Sequence, residues 1–334
     1  MSFPLLLNIR IKFIPYFLFS LLFANAVVAK ESLRICALYP HLKDSYWLSV
    51  NYGMVDETRQ QGIELRVLEA GGYPNHDKQK EQLELCTKWN ADAIILGTVA
   101  PDMFYSNLQQ ASASIPVFAT VNQLDVNAAN SEILKGQVGV DWYWMGYYTG
   151  EYLKRKHPKG SGITNIALLP GPRSSGGTKP VIQGLLSALR GSDINIVETY
   201  WADNDKELQR NLVQKSIEAH QIEYIVGSAV AIEAAISELR SAGKTGEIGL
   251  VSTYLSHGVY RGLLRKRVEF APTDKMVLQG RLSIRQAIHY LNGTPYEKIE
   301  APVIEALTPN KLNPRVVAES LSPSEYRPTF YVHN

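Results

Sequence analysis

Past residue 30 the chain alternates short apolar runs with polar–apolar stretches of helical length. The runs at 33–39, 63–69, 93–97 and 116–121 form one series; those at 165–169, 195–200, 224–227 and 249–253 form a second. Runs this short and this uniformly apolar predict strands buried on both faces. The stretches between them, such as 48–61, 75–90 and 205–220, predict helices. Strand and helix in alternation give parallel sheets with helices on both faces. The segment 122–140 is less regular and is read as holding the first crossing between two lobes. A long helical stretch at 275–292 ends at Gly293, and an extended region at 302–307 leads into a tail containing Pro and Ser. One sheet of ordinary size cannot hold all of this. The expected fold is α/β: two doubly wound parallel-sheet lobes joined by a multi-strand hinge, lobe 1 from 30–138 plus 275–300 and lobe 2 from 139–274 plus 301–334. Ligands of such sheets bind beyond the carboxyl ends of the strands.

The beginning of the chain reads differently. Arg10 and Lys12 precede an apolar run to Phe23 that has no acidic residue, and small-residue exits follow at Ala24-Asn25-Ala26 and Val27-Val28-Ala29. Residues 1–29 therefore fit a secretory signal peptide better than a membrane anchor. Removing them takes away two basic residues and leaves 32 basic against 32 acidic, with no basic block of the kind nucleic acid needs. The expected product is periplasmic, with no membrane insertion after cleavage and no nucleic-acid partner. Its two cysteines, Cys36 in the first strand and Cys86 on a helical face with Leu83 and Trp89, are open to oxidation there. A helix crossing over the first strand would bring them close, so a structural disulfide and two buried free thiols both remain open. Neither has a histidine in sight that would make it a nucleophile.

Candidate chemistry lies in aromatic residues at the predicted strand ends. Tyr46 and Trp47 follow the first strand, Tyr73 the second, Trp142 (with Trp144 close by) opens a helix after Val138-Gly139-Val140, and Tyr254 ends the strand at 249–253. Each could merely cover a core or a helix start. Several aromatic faces around one small space, however, favour a methylated cation over a sugar, which would need carboxylates, amides and an arginine converging on hydroxyls. Asp44 and Asp274 are the nearest acidic candidates; each precedes a predicted helix, so capping is the first reading, as it is for Asp203-Asn204-Asp205. The glycine-rich Gly171-Pro172-Arg173-Ser174-Ser175-Gly176-Gly177-Thr178-Lys179 lacks Walker spacing. The seven histidines show no zinc-ligand spacing, and neither a GxSxG elbow nor a Ser-His-Asp set is evident. No metal, cofactor or catalytic residue is expected, and the chain reads as a binding protein and not an enzyme.

Longer runs carry a family resemblance. Cys36-Ala37-Leu38-Tyr39-Pro40, Leu42-Lys43-Asp44-Ser45-Tyr46-Trp47-Leu48 and Val67-Leu68-Glu69-Ala70-Gly71-Gly72-Tyr73 are the most specific. Asp203-Asn204-Asp205, Gln209-Arg210-Asn211-Leu212, Leu255-Ser256-His257 and Val259-Tyr260-Arg261-Gly262 add to them. Together they resemble the ribose-binding-like (type I) periplasmic binding proteins, and within that family those of trimethylamine N-oxide reductase systems, through nearly all of the chain past the leader. The resemblance implies a sensor component that binds trimethylamine N-oxide (TMAO) and docks on the periplasmic domain of a sensor histidine kinase. Its ligand box falls on Tyr46, Trp47, Trp142 and Tyr254, with Tyr73 and Asp44 as supporting polar groups. Two local departures are Asp141, a charge where a less charged residue is expected, and Trp144, an added aromatic that the resemblance leaves as a packing residue. Aromatic faces would enclose the methyl groups, and indole N–H or phenol O–H groups would donate to the oxygen. The alternative within binding proteins is a sugar or autoinducer receptor serving an ABC importer; outside them, a periplasmic enzyme on a two-lobed scaffold.

Overall fold

The computed structural model describes residues 1–2, 32–173, 177–219 and 221–333. The signal peptide read over 1–29 lies, but for its first two residues, outside the described residues, as do Ser174-Ser175-Gly176 and His220. Among the described residues no helix is long and apolar enough to cross a membrane.

From Ser32 onward the expected alternation is present. The first part runs β1 (Arg34–Tyr39), α1 (Ser45–Gln61), β2 (Glu64–Glu69), α2 (His76–Lys88), β3 (Ala93–Leu96), α3 (Leu108–Ala111), β4 (Val117–Thr120) and β5 (Leu134–Val138). The second runs α4 (Trp142–Lys156), β6 (Thr164–Gly171), α5 (Thr178–Leu189), β7 (Ile194–Trp201), α6 (Lys206–Ala219), β8 (Tyr224–Gly227), α7 (Ala229–Ser241), β9 (Gly249–Ser252), α8 (His257–Leu264) and β10 (Ala271–Thr273). The chain then returns through α9 (Met276–Leu291), β11 (Ile299–Glu300), β12 (Glu305–Leu307), α10 (Pro314–Ser320) and β13 (Tyr331–Val332). A seven-stranded sheet has the order β11-β5-β4-β3-β1-β2-β13, a four-stranded sheet the order β7-β6-β8-β9, and β10 pairs with β12. Strands β3, β4 and β8 are buried at every position, which is why their sequences, Thr120 apart, do not alternate with polar residues.

The two sides of the first sheet differ from the expectation. β5 falls in the stretch read as irregular: its Lys135, Gly136 and Gln137 give no apolar run, and a side chain at Gly136 would collide with Gln286 and Phe118. On the other side, β13 pairs antiparallel with β2, so the assignment of 301–334 wholly to lobe 2 does not hold for the tail. A buried asparagine staples this return: Asn51 Nδ2 donates to the Thr329 carbonyl at 3.0 Å, and its Oδ1 accepts from the Tyr326 hydroxyl at 2.7 Å. A two-residue strand leaves no periodic trace.

Two helix crossings hold the ends of α1 and α4 in place. α1 meets α9 where a Cβ at Gly53 would strike the Val277 carbonyl, and Arg285 and Arg281 of α9 pair with Glu57 and Asp56 of α1 at 2.6 and 2.9 Å. α4 meets α5 at Gly146 and Gly184, where any Cβ would run into the other helix's backbone. Each crossing fixes its helix by main-chain contact, so the first turns of α1 and α4 are rigidly placed. Behind the first sheet Cys36 of β1 and Cys86 of α2 are joined in a disulfide, with Cα atoms 5.7 Å apart and a sequence separation of 50. Closing a loop of that length stabilises by about 4 kcal/mol in the chain-entropy account.

Candidate functional site

The six candidate residues converge. Asp44, Tyr46, Trp47, Tyr73, Trp142 and Tyr254 all line one cavity of about 40 Å³. On the measure by which one water needs about 10–15 Å³, that is room for about three or four waters or one compact solute of like bulk. Its walls come from the carboxyl ends of strands in both sheets, where doubly wound folds bind ligands.

The first sheet contributes through the start of α1. Asp44 caps that helix: its Oδ1 accepts from the Tyr46 and Trp47 N–H groups at 3.1 and 3.2 Å. It therefore does what the capping reading expects, and it lines the cavity as well. The cap sets the two aromatic side chains on the helix's first turn. Trp47 is 1 % exposed and lies across Gly97, where a Cβ would stand 2.5 Å from the indole edge. Its Nε1 donates to the Tyr73 hydroxyl at 3.3 Å, which ties the loop after β2 to the site.

The second sheet contributes Trp142, the first residue of α4, and Tyr254, which follows β9. Asp141, the unexpected charge before Trp142, caps α4 by accepting from the Tyr143 N–H at 2.9 Å; it is exposed and does not line the cavity. Trp142 leans on Gly177, whose Cβ would stand 2.9 Å from the ring, and its Nε1 donates to the Val121 carbonyl at 3.2 Å. Val121 has φ 63°, a left-handed backbone that a β-branched residue adopts at a cost of about 1–3 kcal/mol. That kink turns its carbonyl to the indole.

The rings meet across the two sheets. Tyr46 lies 5.4 Å from Tyr254 and 6.1 Å from Trp142, Trp142 lies 6.3 Å from Tyr254, and Trp47 lies 6.0 Å from Tyr46. The Tyr46–Tyr254 and Trp142–Tyr254 pairs are near perpendicular, the favourable edge-to-face arrangement. Burial, with the Asp274 carboxylate second, pushes the Tyr46 phenol well above its ordinary range. Burial, with Asp44 second, does the same for Tyr254. Both therefore remain neutral O–H groups. The cavity thus offers electron-rich faces, neutral phenols and one carboxylate, a set suited to a small methylated cation.

Three expectations change here. Trp144 is 45 % exposed on α4, among Tyr143, Tyr147 and Tyr148, and so neither lines the cavity nor packs in the core. A position two residues from Trp142 on a helix faces another way, which separates it from the box but does not by itself bury it. Asp274 does not cap α9; the capping position is Lys275 and no side-chain cap bond is formed there. Both indole N–H donors are engaged within the protein, so neither is set aside for a ligand oxygen.

Sequence reasoning missed Val121, Asn122, Pro170, Gly177, Thr178, Val181, Asn204 and Thr253, which also line the cavity. The strand-end rule that found the aromatics would have found Asn122, Pro170 and Thr253 too. Asn204 stood inside Asp203-Asn204-Asp205, where the neighbouring Asp205 caps α6 through the Glu207 and Leu208 N–H groups at 2.9 and 3.2 Å. The glycine-rich segment set aside as a nucleotide loop supplies Gly177 and Thr178. Among the described residues no group of three or more His, Cys, Asp or Glu could hold a metal ion.

Residues 32–318 match the model of the family described as periplasmic binding proteins and sugar binding domain of the LacI family. Over 308 residues, 91 % of this chain and 86 % of the relative, the sequence is 44 % identical to the periplasmic protein TorT of Escherichia coli strain K12. Two crystal structures described as the TorS sensor domain–TorT complex contain a similar chain. In the absence of ligand the identity is 66 % and the TM-score 0.85, covering 90 % of this chain and all of that one. In the presence of TMAO the identity is 67 % with the same TM-score and coverage. An ABC transporter solute binding protein from Bradyrhizobium sp. BTAi1, with bound bis-tris, is 33 % identical over 90 % of both chains with a TM-score of 0.75.

Proposed function

The chain belongs to the periplasmic binding protein family, and from that premise we propose that it is a periplasmic sensor component. It binds TMAO in the cavity between its two sheets and reports occupancy to the sensor domain of a membrane histidine kinase. The observation that carries this reading is the cavity's lining: the rings of Tyr46, Trp47, Trp142 and Tyr254 around about 40 Å³. TMAO is compact, with a methylated cationic nitrogen and an anionic oxygen. Each aromatic face against the cationic end contributes about 0.5–2 kcal/mol, more as water is excluded. With both indole N–H groups and the Tyr46 O–H engaged elsewhere, the oxygen is left to the lining amides and hydroxyls of Asn122, Asn204, Thr178 and Thr253.

A sugar fits less well. Among the described lining residues Asp44 is the sole carboxylate and arginine is missing. The chain acts by binding, as its family does, with no cofactor. The two sheets serve as lobes that close on the ligand, and closure gives occupancy its leverage, because a ligand shifts an equilibrium only through differential affinity for two states. Tyr46 from one sheet already meets Trp142 and Tyr254 from the other, so ligand and closure would share the same contacts. Partner and location follow the relatives: a sensor domain, outside the cytoplasm.

Isothermal calorimetry on the mature chain, with and without the sensor domain, tests the reading. Saturable heat with TMAO is expected. No heat in either setting, together with clear binding of a pentose, would sink it.

A further inference from the structure

Behind the box, away from any ligand, lies a carboxylate that the proposed binding role does not use. Asp274 follows β10, is fully buried and is not among the residues lining the cavity. Its Oδ2 accepts a hydrogen bond from the Tyr46 phenol and another from Gln279 Nε2 at 2.7 Å; the same amide nitrogen donates to the Asp274 carbonyl at 2.9 Å. Its Oδ1 has no partner among the described residues. Two donors therefore converge on one oxygen, and a proton placed on the other would find no acceptor. Hydrogen bonds donated to the group in this way favour its ionised form.

Its surroundings hold that charge without cancelling it. Asp274 stands just before α9, whose first N–H groups and dipole favour a negative charge. Burial leaves the carboxyl raised above its ordinary range, and the Tyr46 and Gln279 hydrogen bonds, which favour the ionised form, offset part of that rise. Lys275, next in sequence, points elsewhere, with Nζ 3.1 Å from Glu319 and 3.9 Å from Glu305. No ion pair engages Asp274 among the described residues, so its field reaches Tyr46 uncancelled.

Resting on the reading of the box as a cation site, we propose that Asp274 is a specificity-determining residue. Through the Tyr46 phenol its buried charge ranks positively charged ligands above neutral ones of the same shape, and turns the positive end of a zwitterion toward Tyr46. The phenol that donates to a carboxylate carries more electron density on its ring, which strengthens the ring's attraction for a cation. The charge itself acts through a weakly screening interior. Asp274 touches no ligand; it sets what Tyr46 presents.

The test is calorimetry with two probes of the same size, TMAO (neutral overall) and tetramethylammonium (one positive charge), on wild type and Asp274→Asn. The substitution keeps an acceptor for Tyr46 and removes the charge. Binding of tetramethylammonium should weaken about tenfold or more, and that of TMAO by a smaller factor. Equal losses for the two probes would mean a purely structural role and overturn the inference, as would no loss. If Asp274→Asn does not fold, Tyr46→Phe keeps the ring and cuts the link; the same order of losses is expected, and equal losses again overturn. Wild type that takes TMAO but not tetramethylammonium also rejects the charge-ranking role. Wild type that takes neither removes the reading of the box itself, which is a distinguishable result.

Discussion

Helix α4 takes part in two groups of aromatic rings that differ in how they are assembled. Trp142, at its start, faces Tyr46 and Tyr254 across the cavity, with ring centroids 5.4–6.3 Å apart. Just beyond it, Tyr143, Trp144, Tyr147 and Tyr148 sit as close to one another, at 5.3–6.5 Å, but at the surface, where Trp144 and Tyr148 are 45 % and 40 % exposed. The outer group comes from a single helix and packs against itself. The inner one is assembled from α1, α4 and the segment after β9, which belong to different sheets. Close rings are therefore not sufficient for a site. What makes one is convergence from separate elements, with the backbone behind each ring held still.

That contrast can be broken at its support. Gly146 lies on the same helix as both groups, and Gly146→Val would drive a side chain into the Val181 carbonyl of α5. The expected loss is about 3 kcal/mol or more of stability by chemical denaturation, and TMAO binding should fall with it because α4 shifts. Unchanged stability would mean the crossing yields easily. Next in size is the disulfide. Replacing Cys36 and Cys86 together by serine should cost about 2–4 kcal/mol in the same measurement while leaving affinity for TMAO within about twofold, since the bridge lies on the far side of the first sheet from the box. A large loss of affinity would tie the bridge to the site.

The contrast is sharpest in a pair of single substitutions. Trp142→Ala should weaken TMAO about a hundredfold by calorimetry, through one lost cation–π face and a cavity open to water. Trp144→Ala should leave affinity within about twofold and stability within about 0.5 kcal/mol. Equal effects from the two tryptophans would erase the distinction between inner and outer rings.

Much of this was legible in the sequence, and the reasons for the rest are physical. Strands buried on both faces announce themselves as apolar runs, so β1 to β4 and β6 to β9 were expected close to where they lie. Strand ends in such folds are binding positions, so Tyr46, Trp47, Tyr73, Trp142 and Tyr254 could be gathered from the sequence alone. Other strands carry no such signature: β5, next to the edge, reads as polar, and β13 is two residues long and pairs with β2 beside a chain segment bonded to Asn51. Burial at a single helical position was beyond reach as well, because Trp144 and Trp142 are the same residue two places apart. Asp274 was read as a cap because it precedes a helix, and only the long-range contact with Tyr46 shows its actual place.

The two box tryptophans each rest on a glycine from elsewhere in the chain, Trp47 on Gly97 and Trp142 on Gly177. This makes the box recognisable by what is missing as much as by what is there. A related protein can keep every ring and still be unable to form the cavity if either glycine has gained a side chain, since the indole would be displaced into the space the ligand needs. Anyone sorting homologues by ligand should therefore inspect positions 97 and 177 before counting aromatics.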